Sequence, residues 1–554
     1  MIKLRPWQAE ATKKAIDWLV QTKTDKHFLI NAAPGAGKTI AACAIASELF
    51  QMNEIDRVIV IAPRSEVVNQ WAKDFQLTNH KVMAKVTGID GDVSSMGIDV
   101  CATWAAIQGL QHAFQDVCQN NRTLIICDEH HHAAVEAAWG DSADSAFIQA
   151  KFVLVLTGTP IRSDGAQSVW MAYHDSGAIN HPVDGTYTLT YGQAVDLGYC
   201  RPITFHRHDG RFTVDLNSGE STQITGSDKP ELTKSLKKIP GLQRALDFYK
   251  LACTPQFQPG TNIPLLSGYQ ATMLEAAMIK LDDLRHRMPK AGGLVIAPTI
   301  EMAKYFVQLI TIMEGDAPML VHSQLPNADG KIAAFRNSDK KWLVSVAMVS
   351  EGVDIPRLRV LVYLPSAKTE LAFRQAVGRV VRTTAPDDDT RAYVVMPTLE
   401  TFEVYARRVE EEIPHHHKKD TTAKTKKCPI CNHENPLGAA HCTGCGHEFP
   451  KAGPKVKPCP SCGMPNLLGA KTCTSCGKPF TADFNLKLDE ALRTGAIIRG
   501  MDITESEVLE AEKMATHVRQ AILQSGDARL IKLLQVMPEE ILGHLKQILD
   551  AKGA

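Results

Sequence analysis

The sequence predicts an α/β chain: two tandem lobes built on parallel sheets, then two small four-cysteine modules and a helical tail. Three observations carry this expectation. Short continuous apolar runs alternate with helical patterns over about the first 165 residues, and the alternation returns in the second half. The composition changes abruptly after residue 412. Eight of the 14 cysteines then fall between residues 428 and 476, all in CxxC pairs.

The runs "HFLINAA", "RVIVIAP", "DVCATW", "TLIICDE" and "FVLVLTG" read as strands of a first lobe at 1–175. A parallel strand covered on both faces has no polar side, so it appears as an unbroken apolar run. "GGLVIAPT", "PMLVHS", "WLVSVAMV", "LRVLVYLP" and "RAYVVMP" repeat the pattern in a second lobe at 281–412. Residues 176–280 read as a connector with its own packing. It holds strand-like pieces and an amphipathic helix, "YQATMLEAAMIKLDDLRHRM", that leads into the second lobe. A basic linker follows at 413–427, then two near-copies, "CPICNHENPLGAAHCTGCG" and "CPSCGMPNLLGAKTCTSCG", within 428–450 and 459–482. The tail, 483–554, reads as helical, with "TESE" at Thr504–Glu507 as a capping box.

At 554 residues the chain is too long for one core, and 44% hydrophobic with 22% charged residues is the composition of a folded protein. Lys plus Arg equals Asp plus Glu at 61 each, so any affinity for nucleic acid has to come from local basic patches. The opening residues, "MIKLRPWQAE", lack the apolar core of a signal peptide, and no run approaches a membrane span. The cytoplasm, of a bacterium or a phage-infected host, is the expected location, with no membrane partner. Cys43, Cys101, Cys118, Cys127, Cys200 and Cys253 are scattered in apolar contexts and read as small buried thiols.

"NAAPGAGKT" ends one predicted strand and opens a helix. Gly35, Gly37, Lys38 and Thr39 stand at phosphate-loop spacing, although Ala32 holds the position where that pattern begins with glycine. Backbone N–H groups of such a loop close around phosphate oxygens, helped by the positive end of the helix. Lys38 would reach the β- and γ-phosphates, and the Thr39 hydroxyl would ligate Mg²⁺. The stretch "LIICDEHHHAA" supplies a second element. Asp128 suits the metal and Glu129 the attacking water. The three following histidines raise a transition-metal alternative, but no histidine lies just before Glu129, so an H-E-x-x-H zinc pattern is absent.

Over roughly residues 1 to 400 the sequence resembles superfamily 2 helicases and translocases. "LRPWQ" is similar to the segment that reads adenine, which implies that role for Gln8. Pro34, Gly35, Ala36, Gly37, Lys38 and Thr39 then hold nucleotide. "APRSEVVNQW" and "CATWAAIQ" resemble motifs Ia and Ib, which line the nucleic-acid path. "DEHH" matches the DExH form of motif II, with His131 relaying nucleotide state. "LTGTP" matches motif III, which implies coupling roles for Thr157 and Thr159. "VSVAMVSEGVDIPRL" is similar to motif V, with Gly352 and Asp354, and "QAVGRVVR" to motif VI. In motif VI, Gln375, Arg379 and Arg382 fall at i, i+4 and i+7, which predicts one helical face presenting two guanidiniums to a γ-phosphoryl group. With these arginines in one lobe and the phosphate loop in the other, ATP is expected between the lobes.

Cys428, Cys431, Cys442 and Cys445, and again Cys459, Cys462, Cys473 and Cys476, follow C-x2-C-x10-C-x2-C. Two CxxC knuckles close a tetrahedral site with four thiolates, so two structural Zn²⁺ ions are expected, and the modules resemble zinc ribbons. Residues 413 to 480 hold ten lysines against Asp420, Glu434 and Glu448. After two Cys₄–Zn²⁺ clusters at −2 each, the region keeps about +3. That suits phosphate contacts, with protein docking through the ribbons or the tail as the other reading.

The function expected is an ATP-dependent DNA helicase or double-strand translocase, similar to bacterial or phage DNA-repair helicases with zinc-bearing tails. An RNA helicase and a non-motor nucleic-acid sensor with ATPase are the alternatives.

Overall fold

The computed structural model describes residues 3–63, 65–87, 98–130, 138–158, 170–174, 179–215, 221–226, 247–258, 260–322, 324–346, 355–383, 388, 390–414, 425–437, 439–449, 456–459, 462–467, 470, 472–478 and 483–487. The main chain divides into two compact units at Cys200–Arg201.

The first unit runs α1 (Pro6–Ile16), a π-helical turn (Asp17–Thr22), β1 (His27–Ala32), α2 (Lys38–Gln51), β2 (Arg57–Ala62), α3 (Ser65–Asn79), β3 (Met83–Val86), β4 (Asp99–Thr103), α4 (Trp104–Gly109), α5 (Gln111–Asn120), β5 (Thr123–Asp128), α6 (Ala138–Phe147), β6 (Phe152–Thr157), β7 (Ala172–Tyr173), β8 (Ile179–Asn180), β9 (Thr186–Leu189) and α7 (Tyr191–Asp196). Seven strands form one sheet in the order β3-β4-β2-β5-β6-β1-β9, and every pairing is parallel. Central strands are apolar because both faces are covered: all of β6, "FVLVLT", is buried. Helix α3 buries Val68, Trp71 and Phe75 on one side and leaves Asn69, Gln70, Lys73 and Gln76 exposed on the other. Helix starts follow local chemistry. The Thr103 hydroxyl accepts the Ala106 N–H at 3.3 Å to cap α4, and Thr190 with Gln193 forms a capping box on α7.

The second unit begins with β10 (Ile203–His208), β11 (Arg211–Asp215), β12 (Ser221–Thr225), α8 (Phe248–Ala252), α9 (Tyr269–Arg287), β13 (Gly292–Ile296), α10 (Ile300–Glu314), β14 (Met319–Val321), α11 (Ala328–Arg336), β15 (Trp342–Ser345), β16 (Leu358–Tyr363), α12 (Glu370–Val377), β17 (Ala392–Pro397) and α13 (Glu400–Glu412). It continues with the hairpins β18 (Thr425–Lys427) with β19 (Glu434–Pro436) and β20 (Val456–Pro458) with β21 (Pro465–Leu467), then β22 (Asp483–Lys487). Its main sheet is parallel, in the order β10-β17-β16-β13-β15-β14. Thr299 and Thr369 cap α10 and α12 by accepting N–H bonds at 3.0 and 3.2 Å.

The two lobes and their parallel sheets match the expected architecture, with three local corrections. The stretch 176–280 packs only in part by itself: β9 extends the first sheet and β10 the second, while β11 and β12 pair with each other outside both. The basic linker ends early: residues 425–427 already form a strand of the first ribbon. The tail opens on a strand, β22, which pairs in parallel with β11 in a three-stranded sheet with β12. The capping box at Thr504–Glu507 lies outside the described residues. No described helix is long and apolar enough to cross a membrane.

Candidate nucleotide site and metal centres

The phosphate loop is the turn between β1 and α2. Lys38 and Thr39 are the first two residues of α2, so their side chains sit at the positive end of the helix. Gly37 has φ +99° and Gly35 φ +81°, conformations that need glycine. Ala32 takes the place of the usual first glycine without strain, since it is the last, buried residue of β1 and pairs with Leu189. Its carbonyl accepts Lys38 Nζ at 3.1 Å. Gln8 is buried in α1; its Nε2 donates to the Gly37 carbonyl at 2.9 Å, and its Oε1 accepts the Arg5 N–H at 2.8 Å. The amide that the resemblance assigns to adenine thus ties α1 to the phosphate loop. Arg5 adds a second tie, Nη1 to the Ala36 carbonyl at 2.8 Å, and its guanidinium lies 4.5 Å from the centre of the Tyr199 ring.

Asp128 ends β5 and Thr157 ends β6, and β6 lies between β5 and β1. The phosphate loop, the Asp128–Glu129 pair and the Thr157–Gly158 step therefore leave the carboxyl ends of three neighbouring parallel strands, where open α/β sheets bind ligands. Asn31 pairs with Thr157, and Leu156 with Asp128, which fixes their register. Glu129 adopts φ +54°, rare for a residue with a side chain, and its N–H donates to the Leu156 carbonyl at 3.1 Å. Gly158 faces the lysine: a Cβ there would lie 2.8 Å from Lys38 Nζ. The oxygen donors Asp128 and Thr39 suit a hard cation such as Mg²⁺. Asp128 Oδ2 also accepts the Trp71 indole N–H at 2.8 Å. His130, the variable position of the DExH box, is fully buried, hydrogen-bonded to the Tyr173 hydroxyl at 2.8 Å and stacked on that ring. His131, Thr159, Gly352 and Asp354 lie outside the described residues.

Motif VI departs from the helical expectation. Helix α12 stops at Val377, and the Arg379 and Val380 N–H groups reach back three residues to Ala376 and Val377. Gln375 is helical, Arg379 lies in the turn and Arg382 beyond it, so one helical face does not hold all three. Instead Arg201 braces this segment: its N–H donates to the Val381 carbonyl at 2.8 Å, and its guanidinium donates to the Arg382 carbonyl. The buried Arg201 and Arg359 both donate to Asp388 Oδ2.

In each cysteine module the four Sγ atoms lie within 4.8 Å of one another. The Cys428–Cys445, Cys431–Cys442 and Cys462–Cys473 pairs are 3.6 Å apart, and Cys459–Cys476 3.7 Å. A tetrahedron with Zn–S bonds of about 2.3 Å has edges of about 3.8 Å, so the sites fit Zn²⁺. Asn435 and Asn466, both buried, play the same part in the two modules. Each Nδ2 donates to a cysteine sulfur, Cys442 or Cys473, at 3.6 and 3.5 Å. Each Oδ1 accepts the N–H of the next residue, Thr443 or Thr474, at 2.8 Å. The Cys476 N–H is the chief cause holding the Cys473 thiol down at about 6, which favours the thiolate. The scattered cysteines behave differently: all six are buried, and burial pushes Cys43 and Cys118 up to about 12.

Sequence reasoning assigned no role to Arg5 and Trp71, although both lie in stretches it singled out, "LRPWQ" and "APRSEVVNQW", and it missed Tyr173, Tyr199, Arg201 and the paired asparagines. Of the missed residues, the asparagines carried a local signal, being identical in the two near-copies.

Three family models match the chain: "Type III restriction enzyme, res subunit" over residues 1–162, "Helicase conserved C-terminal domain" over 276–384 and "Double zinc ribbon" over 428–477. An uncharacterised protein of Mycobacterium tuberculosis is 30% identical over 393 residues, which is 71% of this chain and 61% of that protein. The chain thus spans less than two thirds of the length of that relative. The DNA 3'-5' translocase XPB2 of Sulfurisphaera tokodaii is 23% identical over 69% of this chain and 79% of its own. A fragment of a candidate HsdR subunit of a type I restriction enzyme from Vibrio vulnificus shares the fold, with a TM-score of 0.50 and 19% identity over 74% of this chain and 67% of that one. With its DExH box and its paired cysteine sites, the chain thus carries the two helicase domains of superfamily 2 helicases and translocases, followed by a double zinc ribbon.

Proposed function

We propose that the chain is an ATP-dependent motor on nucleic acid, a DNA helicase or double-strand translocase working in repair, recombination or replication. The observation that supports this most directly is the convergence of Lys38, Asp128, Glu129 and Gly158 at the ends of three adjacent parallel strands. In this reading Lys38 and the loop Pro34–Thr39 bind the phosphates, and Thr39 with Asp128 holds Mg²⁺. The cation, when bound, would offset charge on the β- and γ-phosphates. Glu129 orients the attacking water, and Arg379 and Arg382 of the second unit stabilise the spread negative charge. Gln8, Gln375, Gly352 and Asp354 complete nucleotide binding, while His131, Thr157 and Thr159 pass nucleotide state to the nucleic-acid path. DNA is favoured because XPB2 is a DNA translocase, and the ribbon region, with lysine-rich segments before and between its two modules, is read as an added DNA contact.

ATPase stimulation by matched DNA and RNA of one sequence tests substrate choice. Stronger stimulation by DNA is expected, and stimulation by RNA alone would install the RNA helicase instead. Strand-displacement and triplex-displacement assays then separate unwinding from duplex translocation. Removing residues 413–554 should weaken DNA binding and lower its salt dependence. Unchanged values would mean that the ribbons dock protein.

A further inference from the structure

The Trp71 side chain is 1% exposed, yet it does more than fill the core. Its one polar atom, Nε1, donates to Asp128 Oδ2 at 2.8 Å across 57 positions of sequence. The other buried side chains described on α3, Val67, Val68, Ala72 and Phe75, are hydrocarbon and anchor the helix against the sheet. The indole is thus a rigid, two-torsion arm, fixed at its base by packing, with its donor aimed at the carboxylate at the end of β5.

A buried indole N–H needs an acceptor, and a carboxylate at the mouth of a sheet needs something to fix its rotamer. This one bond serves both. Accepting it does not disqualify Asp128 as a ligand, since an ionised carboxylate offers about four lone-pair positions. The effect is orientational: with one oxygen held by a donor that cannot swing away, the plane of the carboxylate is set before a cation arrives. Partners behind a metal ligand act in this way, and losing one typically costs about ten- to a hundredfold in metal affinity.

We infer that Trp71 is a positioning residue for the divalent cation, preorienting Asp128 so that Mg²⁺–nucleotide binds to a carboxylate already in place. This rests on the reading of Asp128 as the cation ligand. Trp71 also gives α3 a physical handle on the ATP site. The opposite face of the helix is the exposed row Asn69, Gln70, Lys73 and Gln76, so a shift of the helix moves the donor relative to Asp128.

The test uses the full chain with a non-hydrolysable ATP analogue and Mn²⁺ as a spectroscopic stand-in for Mg²⁺, with bound Mn²⁺ counted by electron paramagnetic resonance. Trp71→Phe removes the donor and keeps most of the packing. Benzothienylalanine at position 71 keeps the shape of the indole and replaces N–H by sulfur, and it decides the matter should Trp71→Phe fold poorly. Both are expected to weaken Mn²⁺ binding about tenfold. Affinity for a fluorescent ATP in EDTA should stay within about twofold of wild type. Asp128→Asn is the reference. Loss of Mn²⁺ in Asp128→Asn with wild-type Mn²⁺ affinity in both position-71 variants would overturn the inference and leave the ATP site standing. Wild-type Mn²⁺ affinity in Asp128→Asn would overturn the ATP-site reading and the inference together. Equal losses of Mn²⁺ and of metal-free nucleotide binding in the position-71 variants would make Trp71 a packing residue only.

Discussion

Asp388 Oδ2 accepts hydrogen bonds from two buried guanidiniums, Arg201 and Arg359, each at 2.8 Å. One carboxylate thus satisfies two cations with fully buried side chains, and Thr390 Oγ1 accepts from both arginines at 3.0 and 3.1 Å. The cluster stands directly behind motif VI, because the same Arg201 guanidinium donates to the Arg382 carbonyl. Removing the carboxylate leaves two uncompensated charges in the interior. Asp388→Ala should destabilise the second unit by about 3–5 kcal/mol, seen as a lower urea midpoint. A change below about 0.5 kcal/mol would mean that the cluster is hydrated and carries little.

Gly158 and Lys38 give a sharper test of the nucleotide site. A Cβ at position 158 would meet the far end of a flexible side chain, so the fold can accommodate it by moving Lys38 Nζ. Gly158→Ala should melt within about 2 °C of wild type, yet bind fluorescent ATP about tenfold more weakly. Calorimetry and a nucleotide titration read the two effects separately.

The paired asparagines predict how tightly the ribbons hold metal. Asn435→Ala and Asn466→Ala each remove an N–H···S bond and the acceptor that fixes the following threonine. Zinc transfer to a colorimetric chelator should quicken about tenfold in either variant, with one ion of two affected. Total zinc before challenge should stay at two per chain.

A fourth prediction concerns pH. Burial, followed by the neighbouring His206, lowers the His208 pKa to about 3. Its Nε2 is bonded to the Thr272 hydroxyl at 3.0 Å, and its ring meets Tyr269 edge-on. The unfolded chain takes up a proton near 6.5 while the fold refuses it, so the stability due to His208 is present above that value. It is lost as pH falls from about 6.5 toward 3, at about 1.4 kcal/mol per unit. His208→Gln should flatten the decline in melting temperature between pH 6 and 4. An identical slope in the variant would mean that other groups drive it.

How much was legible follows from where each feature sits in the chain. The phosphate loop, the Asp128–Glu129 pair and the eight cysteines are local patterns whose chemistry depends on near neighbours. The central strands were legible because double-sided burial writes them as apolar runs. Strands β9 and β10 showed only as strand-like pieces of a connector, and their places in the two sheets were not legible, because each is an edge strand: "ITFHRH" is only partly buried and reads as half polar. The bond from Trp71 to Asp128 and the brace from Arg201 to Asp388 join positions 57 and 187 apart, and no local spacing encodes them. Motif VI misled for a related reason: a seven-residue spacing suggests one helix face, but α12 ends at Val377, before Arg379 and Arg382.

Coupled ATP hydrolysis is the central claim, and steady-state ATPase measured on the full chain with and without duplex DNA tests it most directly. Wild type should turn over ATP faster with DNA, and Lys38→Ala and Glu129→Gln should each lower that rate by at least about a hundredfold, while Glu129→Gln still binds ATP. DNA-stimulated turnover that survives in Glu129→Gln, or no turnover by wild type with any nucleic acid, would contradict the account.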